Sequence, residues 1–179
     1  MRNFILIALA LFSAAVAAEG IASEGKARAT LAWSHDCDGN SCWLEKIVDF
    51  QGKGGMSKGG VAVSYDRAKH QPEFIAVIVP TGVPQDSEVE IRFIDSVKRQ
   101  GQWHLVPIGD DFLGLPISGC NKASCQARVH AQIPDGPDLF EELKKRSLLW
   151  IMFEREGEDE PERIMVPLSG LDNELRAIQ

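Results

Sequence analysis

The sequence lacks the short motifs that mark the common hydrolase, metalloprotease and nucleotide-binding sites. It has no Gly-x-Ser-x-Gly elbow, because the nearest stretch, residues 116–119, lacks the first glycine. The four histidines are His35, His70, His104 and His130. None has a second histidine four residues away with a glutamate between, as zinc proteases require. The Gly52 to Gly60 stretch lacks the P-loop spacing and is expected to be a flexible loop. These absences favour a protein that is not an enzyme.

No apolar run reaches the about 20 residues that a membrane-spanning helix needs. The longest apolar stretch, Phe4 to Val16, follows a single positive charge at Arg2 and precedes small residues that end at Ala18. This order is typical of a secretory signal peptide, which we assign to residues 1–18. No cysteine stands at the junction for a lipid anchor. We therefore expect an exported, periplasmic, outer-membrane-associated or secreted protein without a membrane span, whose residues 19–179 form one domain.

The chain has no excess of basic residues. It contains 19 Lys and Arg against 26 Asp and Glu, a formal net charge of −7, and cleavage after Ala18 would make this charge one unit more negative. A chain of this charge repels phosphate backbones. The composition therefore argues against a nucleic-acid partner.

Only four cysteines are present, in two Cys-x4-Cys pairs, and in an exported chain an even number predicts disulfides. Three connectivities are possible. We favour Cys37–Cys42 and Cys120–Cys125, since each pair brackets turn residues and a hairpin brings its two arms to disulfide distance. The alternatives are a tetrahedral zinc site, which export disfavours, and a redox pair, for which the spacing is wrong.

The rest of the chain reads as many short strands separated by Gly- and Pro-marked turns, which indicates an all-β, immunoglobulin-like sandwich. In Trp43 to Phe50 the residues alternate, and the more apolar face is expected to point inward. That face is formed by Leu44, Lys46, Val48 and Phe50. Strands are also expected at residues 29–34, 61–65, 74–79, 89–94, 103–108, 126–133, 148–153 and 164–168.

One or two short helices are expected beside the strands. The first would place Pro137 in its first turn, where the missing N–H costs nothing, and its acidic residues precede its basic ones, as the helix dipole favours. The second would follow Ser169 as its capping residue.

Three polar loops are the candidate binding sites. They are the two cysteine-bracketed tips and the acidic segment Glu154 to Arg163. The candidate residues are Asp38, Asn40, Asn121, Lys122, Glu156, Glu158 and Asp159. The first tip resembles the start of a calcium loop, but Ser41 and Ile47 stand where the glycine and the bidentate glutamate belong. We therefore expect neither a metal nor another cofactor.

In the order of these landmarks the sequence resembles the invasion-associated locus B family of Gram-negative envelope proteins. The features that carry the resemblance are the signal peptide, Trp33 before the first cysteine pair, Val79-Pro80-Thr81-Gly82-Val83, Pro116-Ile117-Ser118-Gly119-Cys120 before Cys125, and Val166-Pro167-Leu168-Ser169-Gly170-Leu171. Two positions depart from the family pattern: Leu171 replaces the usual phenylalanine, and Ser124 a glycine.

The resemblance implies an immunoglobulin-like sandwich of the envelope, a role in host-cell invasion or envelope function, and no catalytic residues. We expect a non-enzymatic binding protein whose partner is an envelope or host-surface protein. The alternative is a periplasmic binder of metal or small molecules, or a hydrolase, built on His35, Asp36 and Asp38.

Overall fold

The computed structural model describes residues 28–29, 32–109, 112–134 and 136–179. The expected signal peptide lies outside them. The strands are β1 (Arg28–Ala29), β2 (Ser34–Asp38), β3 (Ser41–Gly52), β4 (Gly55–Asp66), β5 (Gln71–Pro80), β6 (Glu88–Arg99), β7 (Gln102–Pro107), β8 (Leu113–Cys120), β9 (Ser124–His130), β10 (Leu148–Phe153) and β11 (Glu162–Pro167). The helices are α1 (Leu139–Lys145) and α2 (Leu171–Ile178). The expected all-β class with two short helices is confirmed.

The strands form one antiparallel path that folds back on itself as two layers. Its order is β1-β3-β4-β5-β9-β8-β6-β10-β11, with β2 beside β3 and β7 beside β6. Strand β11 contacts β3 and β4 across the core, so the two ends of the path face each other. There Phe50 of β3 meets Phe153 of β10 edge to face, with ring centroids 6.2 Å apart. The result is a sandwich-like fold, as expected.

Strand β8 belongs to both layers. Its first half pairs with β6, its second half pairs with β9, and the register shifts between Ile117 and Gly119. A bulge of this kind bends a strand and lets it leave one sheet for the other. No strand was predicted here, since Pro116 and the flanking Gly114 and Gly119 are residue types that usually mark turns.

The inward face of β3 is the one that the alternation predicted. Leu44, Lys46, Val48 and Phe50 are all buried. Lys46 is the one charged residue among them, and only 1% of it is exposed. Burial disfavours the charged ammonium and lowers the pKa of Lys46.

The expectation of a flexible loop from Gly52 to Gly60 was wrong. The segment turns at residues 53–54 and continues as β4, in register with β3 from Gly52↔Gly55 onwards. The glycines serve close packing, because a Cβ on Gly60 would lie 2.0 Å from the Lys46 carbonyl oxygen and one on Gly59 would lie 2.3 Å from Ile164 Cδ1.

Most strand bounds differ from expectation by a few residues, and the acidic segment expected from Glu154 to Arg163 runs into β11, which begins at Glu162. Three further boundaries differ in kind. The strand expected at residues 29–34 is instead the short β1 and a separate β2, which runs through His35 and Asp36; residues 30–31 lie outside the described part. Helix α1 begins after Asp138, whose side chain accepts from the Glu141 N–H at 3.0 Å, so Pro137 precedes the helix. Helix α2 is preceded by Gly170 at φ 96°, not by a Ser169 cap.

Candidate functional site

The first cysteine pair joins β2 to β3. Cys37 and Cys42 are direct cross-strand partners with Cα atoms 4.1 Å apart, and they form the expected disulfide. Asp38 and Asn40 lie exposed at the tip beyond it. The Asn40 carbonyl accepts from the Arg67 N–H at 2.8 Å, which ties the tip to the end of β4.

A shallow cavity of about 370 Å³ lies beside this disulfide. His35, Asp36 and Arg67 line it, together with the end of α2, whereas Asp38 does not. The His35 Nδ1 lies 2.6 Å from Glu174 Oε1, so the imidazole is already paired with a carboxylate of α2. Of the three residues of the alternative site, His35 and Asp36 thus line one cavity and Asp38 lies outside it.

The second cysteine pair joins β8 to β9. Cys120 and Cys125 form the second expected disulfide, with Cα atoms 4.0 Å apart. The Asn121 side chain accepts from the N–H groups of Ala123 at 2.7 Å and Ser124 at 2.9 Å. Asn121 therefore holds the shape of its own turn, while Lys122 is exposed.

The acidic tip between β10 and β11 is anchored to neighbouring loops. The Glu156 N–H donates to the Gly82 carbonyl at 2.9 Å. Glu158 Oε2 lies 3.0 Å from Lys53 Nζ. The hydrogen bond to Glu158, together with the charges of Glu158, Glu160 and Asp159, raises the pKa of Lys53. Glu158 is thus already paired, and Glu156 and Asp159 are exposed.

The candidate loops do not converge on one site. We call the sheet of β1, β2, β3, β4, β5 and β9 the first layer. The strand register places the Cys37–Cys42 tip at the end of this layer where Ser41 meets Asp66. Ser124 lies opposite Pro80, at the other end of that layer, so the Cys120–Cys125 tip lies there. The acidic tip lies at this second end too, since it contacts Lys53 and Gly82.

A different surface gathers apolar side chains. We call it the outer face: the side of β6, β7, β10 and β11 that points away from the core. Its apolar members include two exposed residues, Trp103 and Leu105, and four partly buried ones, Leu148, Trp150, Met152 and Met165. Trp150 is directly opposite Arg92 on β6 and Met165 on β11, which makes these positions neighbours on one surface.

Cations lie over the aromatic rings of this outer face. The Arg163 guanidinium carbon is 5.4 Å from the centroid of the Trp150 ring, and the Lys98 Nζ is 5.9 Å from that of Trp103. Such pairs hold the rings by cation–π attraction and keep positive charge beside apolar surface. The outer face therefore combines tryptophan, methionine and arginine, the residues enriched at protein interfaces.

The most exposed part of the outer face is the arm, which we define as residues 96–107 of the β6–β7 hairpin. Trp103 is 68% and Leu105 52% exposed. The arm carries Lys98 and Arg99 and no acidic residue, in a chain of net charge −7. The sequence pattern predicted a strand at residues 103–108 but not its exposure. The lack of acidic residues in the arm is the one sequence feature that points to it.

The described residues contain neither a metal-binding cluster nor a membrane-spanning helix. No group of three or more His, Cys, Asp or Glu side chains is arranged to hold a metal ion, and no helix has the length and apolarity to cross a membrane. Comparison with known proteins also gives no match: no family model, no curated protein and no solved structure is significantly similar to the chain. Membership of the invasion-associated locus B family stays a prediction from the sequence.

Proposed function

We propose that the protein is an exported, non-enzymatic binding protein of the cell envelope that engages a partner protein through the outer face. The observation that carries the proposal is the exposure of Trp103 and Leu105 on a surface that continues through Trp150 and Met165. Exposed aromatic and apolar clusters of this kind mark interaction sites more often than scattered single residues do.

Export is supported by the two disulfides together with the apolar N-terminal run. Disulfides persist in oxidising compartments such as the periplasm and are rare in the cytosol. The expected product is a periplasmic or secreted chain that begins at Ala18 or Glu19. N-terminal sequencing that found an intact Met1 in membrane-integrated protein would contradict this part of the proposal.

The chemistry of the outer face defines its partner. Arg92, Arg163 and Lys98 border the apolar centre, and Glu90 lies opposite Met152. The expected complementary surface is therefore apolar, with mainly acidic but also basic groups at its rim. An envelope or host-surface protein of this character fits. The resemblance to invasion-associated locus B proteins supports the same class of role, in host-cell invasion or envelope function.

The test compares the two candidate surfaces. In affinity capture from envelope extracts, the Trp150→Ser/Met165→Ser variant should weaken binding of the partner by at least about thirtyfold, the scale of one interface hot spot. The matched control replaces Glu156, Glu158 and Asp159 with Ala at the acidic tip and should retain capture. Loss only in the acidic-tip variant would move the site there; unchanged capture by both variants would overturn the proposal.

The second candidate function rests on the cavity beside Cys37. A polar cavity lined by His35, Asp36 and Arg67 has the size of a small-molecule site. If it is a hydrolase or metal site, His35→Ala or Asp36→Ala will abolish a measurable hydrolysis or stoichiometric metal binding. Purified protein with neither property before substitution would exclude it.

A further inference from the structure

The free edge of β7 is the starting point. Among the described residues only β6 pairs with β7, so one side of β7 offers its backbone groups to solvent. Natural sheets protect such edges with charged residues, bulges or prolines. Residues 102–106 carry no lysine, no acid and no bulge, and Pro107 stands only at the end.

The backbone groups on this edge can be assigned from the hairpin. Gln100 and Gly101 both have positive φ, 50° and 85°, so β6 and β7 are joined by a two-residue turn and the closing pair Arg99↔Gln102 is hydrogen-bonded. Along an antiparallel ladder, hydrogen-bonded pairs alternate with pairs that are not hydrogen-bonded. Counted from Arg99↔Gln102, the pair Phe93 and Ile108 should be hydrogen-bonded, and the Ile108 N–H does donate to the Phe93 carbonyl at 2.9 Å. The N–H and C=O groups of Trp103 and Leu105 therefore point away from β6, to the free edge.

These two residues form a self-complementary pair. When two copies of β7 lie antiparallel with His104 opposite itself, Trp103 of each copy is opposite Leu105 of the other. Each such pair exchanges two hydrogen bonds, which gives four in total, and packs an exposed tryptophan on an exposed leucine.

Neighbouring registers are poorer. A shift by two residues in one direction places Trp103 opposite Pro107, which has no N–H to donate. The opposite shift places Leu105 opposite Gly101, which lies in the turn at φ 85°. Of these three registers, only the one centred on His104 pairs Trp103 with Leu105 without using Pro107 or the turn, so this arrangement is favoured.

Charge also permits a second copy as the occupant. Strand β7 has no formally charged residue, and the two cations of the arm, Lys98 and Arg99, lie one strand back from the edge. The two Lys98 residues would be separated by three strand spacings, about 14 Å, which exceeds the screening length of about 8 Å at physiological salt. No like charges face each other across the shared edge.

We propose that two copies of the chain associate through antiparallel pairing of their β7 strands, in the register that places Trp103 against Leu105. The arm presents one short strand, and an interface of this size falls below the roughly 1,200 Å² of stable complexes. The dimer is therefore weak and reversible and forms at high protein concentration. This inference does not depend on the proposed envelope partner.

Sedimentation velocity of the purified protein from about 10 μM to about 1 mM is the test. The wild type should change from monomer to dimer over this range. Leu105→Pro removes the N–H that points to the free edge while leaving the β6–β7 bonds in place, and it should keep the protein monomeric throughout. Trp103→Lys should do the same, and Met56→Lys, at a residue that is 62% exposed in another hairpin, should not.

Circular dichroism confirms that each variant is folded; if Leu105→Pro is not, Trp103→Lys decides. A wild type that stays monomeric to 1 mM overturns the proposal and leaves the edge to a strand of another protein. A dimer that persists in both edge variants overturns it too, since the contact would then use another surface.

Discussion

At the residue scale, Gly60 shows how closely β3 and β4 pack. Replacement by Ala would bring a Cβ to 2.0 Å from a backbone oxygen that cannot move without its strand. We expect Gly60→Ala to lower the free energy of unfolding by about 3 kcal/mol, as overpacked cores do. Gly119→Ala is the matched control, because no atom lies within 4 Å of its Cβ position. Urea unfolding of both variants measures the two free energies of unfolding. Equal values would show that β3 and β4 accommodate the added methyl group at little cost.

Lys46 gives a second prediction at this scale. Its pKa is lowered by burial, so between the folded and unfolded values the unfolded chain binds the proton more tightly. The contribution of Lys46 to stability should therefore rise with pH as the pH approaches the ordinary lysine range. Lys46→Met should be more stable than wild type at neutral pH, and the difference should shrink as pH rises. A difference independent of pH would contradict the assignment.

The sequence predicted the inward face of β3, including Lys46, because alternation alone fixes which side chains share a face. It could not predict the role of Gly59 and Gly60. Their spacing looks like that of a loop, and only the approach of Ile164 and the Lys46 backbone shows why small residues are needed.

At the scale of elements, the two disulfide hairpins are local. Each bridge closes a loop between cysteines separated by five positions and is expected to add about 2 kcal/mol on the chain-entropy model. Cys37→Ala/Cys42→Ala and Cys120→Ala/Cys125→Ala should each lower the free energy of unfolding by about this amount, with strand content retained. The measurement is urea unfolding followed by circular dichroism. Complete unfolding of either double variant in buffer would show that a bridge holds the sandwich itself.

Strands were predicted correctly where apolar residues alternate or form a continuous run. The prediction failed where packing with distant residues determines whether a segment forms a strand. Strand β10 was predicted with its bounds, because residues 148–153 are an uninterrupted apolar run. Strand β8 was missed because a shared strand tolerates Pro116 and two glycines that normally mark turns. The first layer also contains His35 and Asp36 in β2, which read as the end of a strand in the sequence.

At the scale of the whole molecule, the predicted binding loops all lie at hairpin tips, but the Cys37–Cys42 tip lies at the opposite end of the sandwich from the other two. The surface that now carries the proposed function joins the β6–β7 and β10–β11 hairpins, which become neighbours only through the long-range pairing of β6 with β10. No local pattern encodes that juxtaposition. The sequence therefore predicted the fold class and both disulfides, and it did not predict the outer face.

Site-specific photo-crosslinking in intact cells tests the central claim most directly. A photoreactive amino acid at Met165 reports on the outer face, and the same amino acid at Glu45, on the outward side of β3, is the control. The account predicts an adduct with a protein other than this chain from position 165 and none from position 45. An adduct from position 45 alone, or none from either, would contradict binding through the outer face.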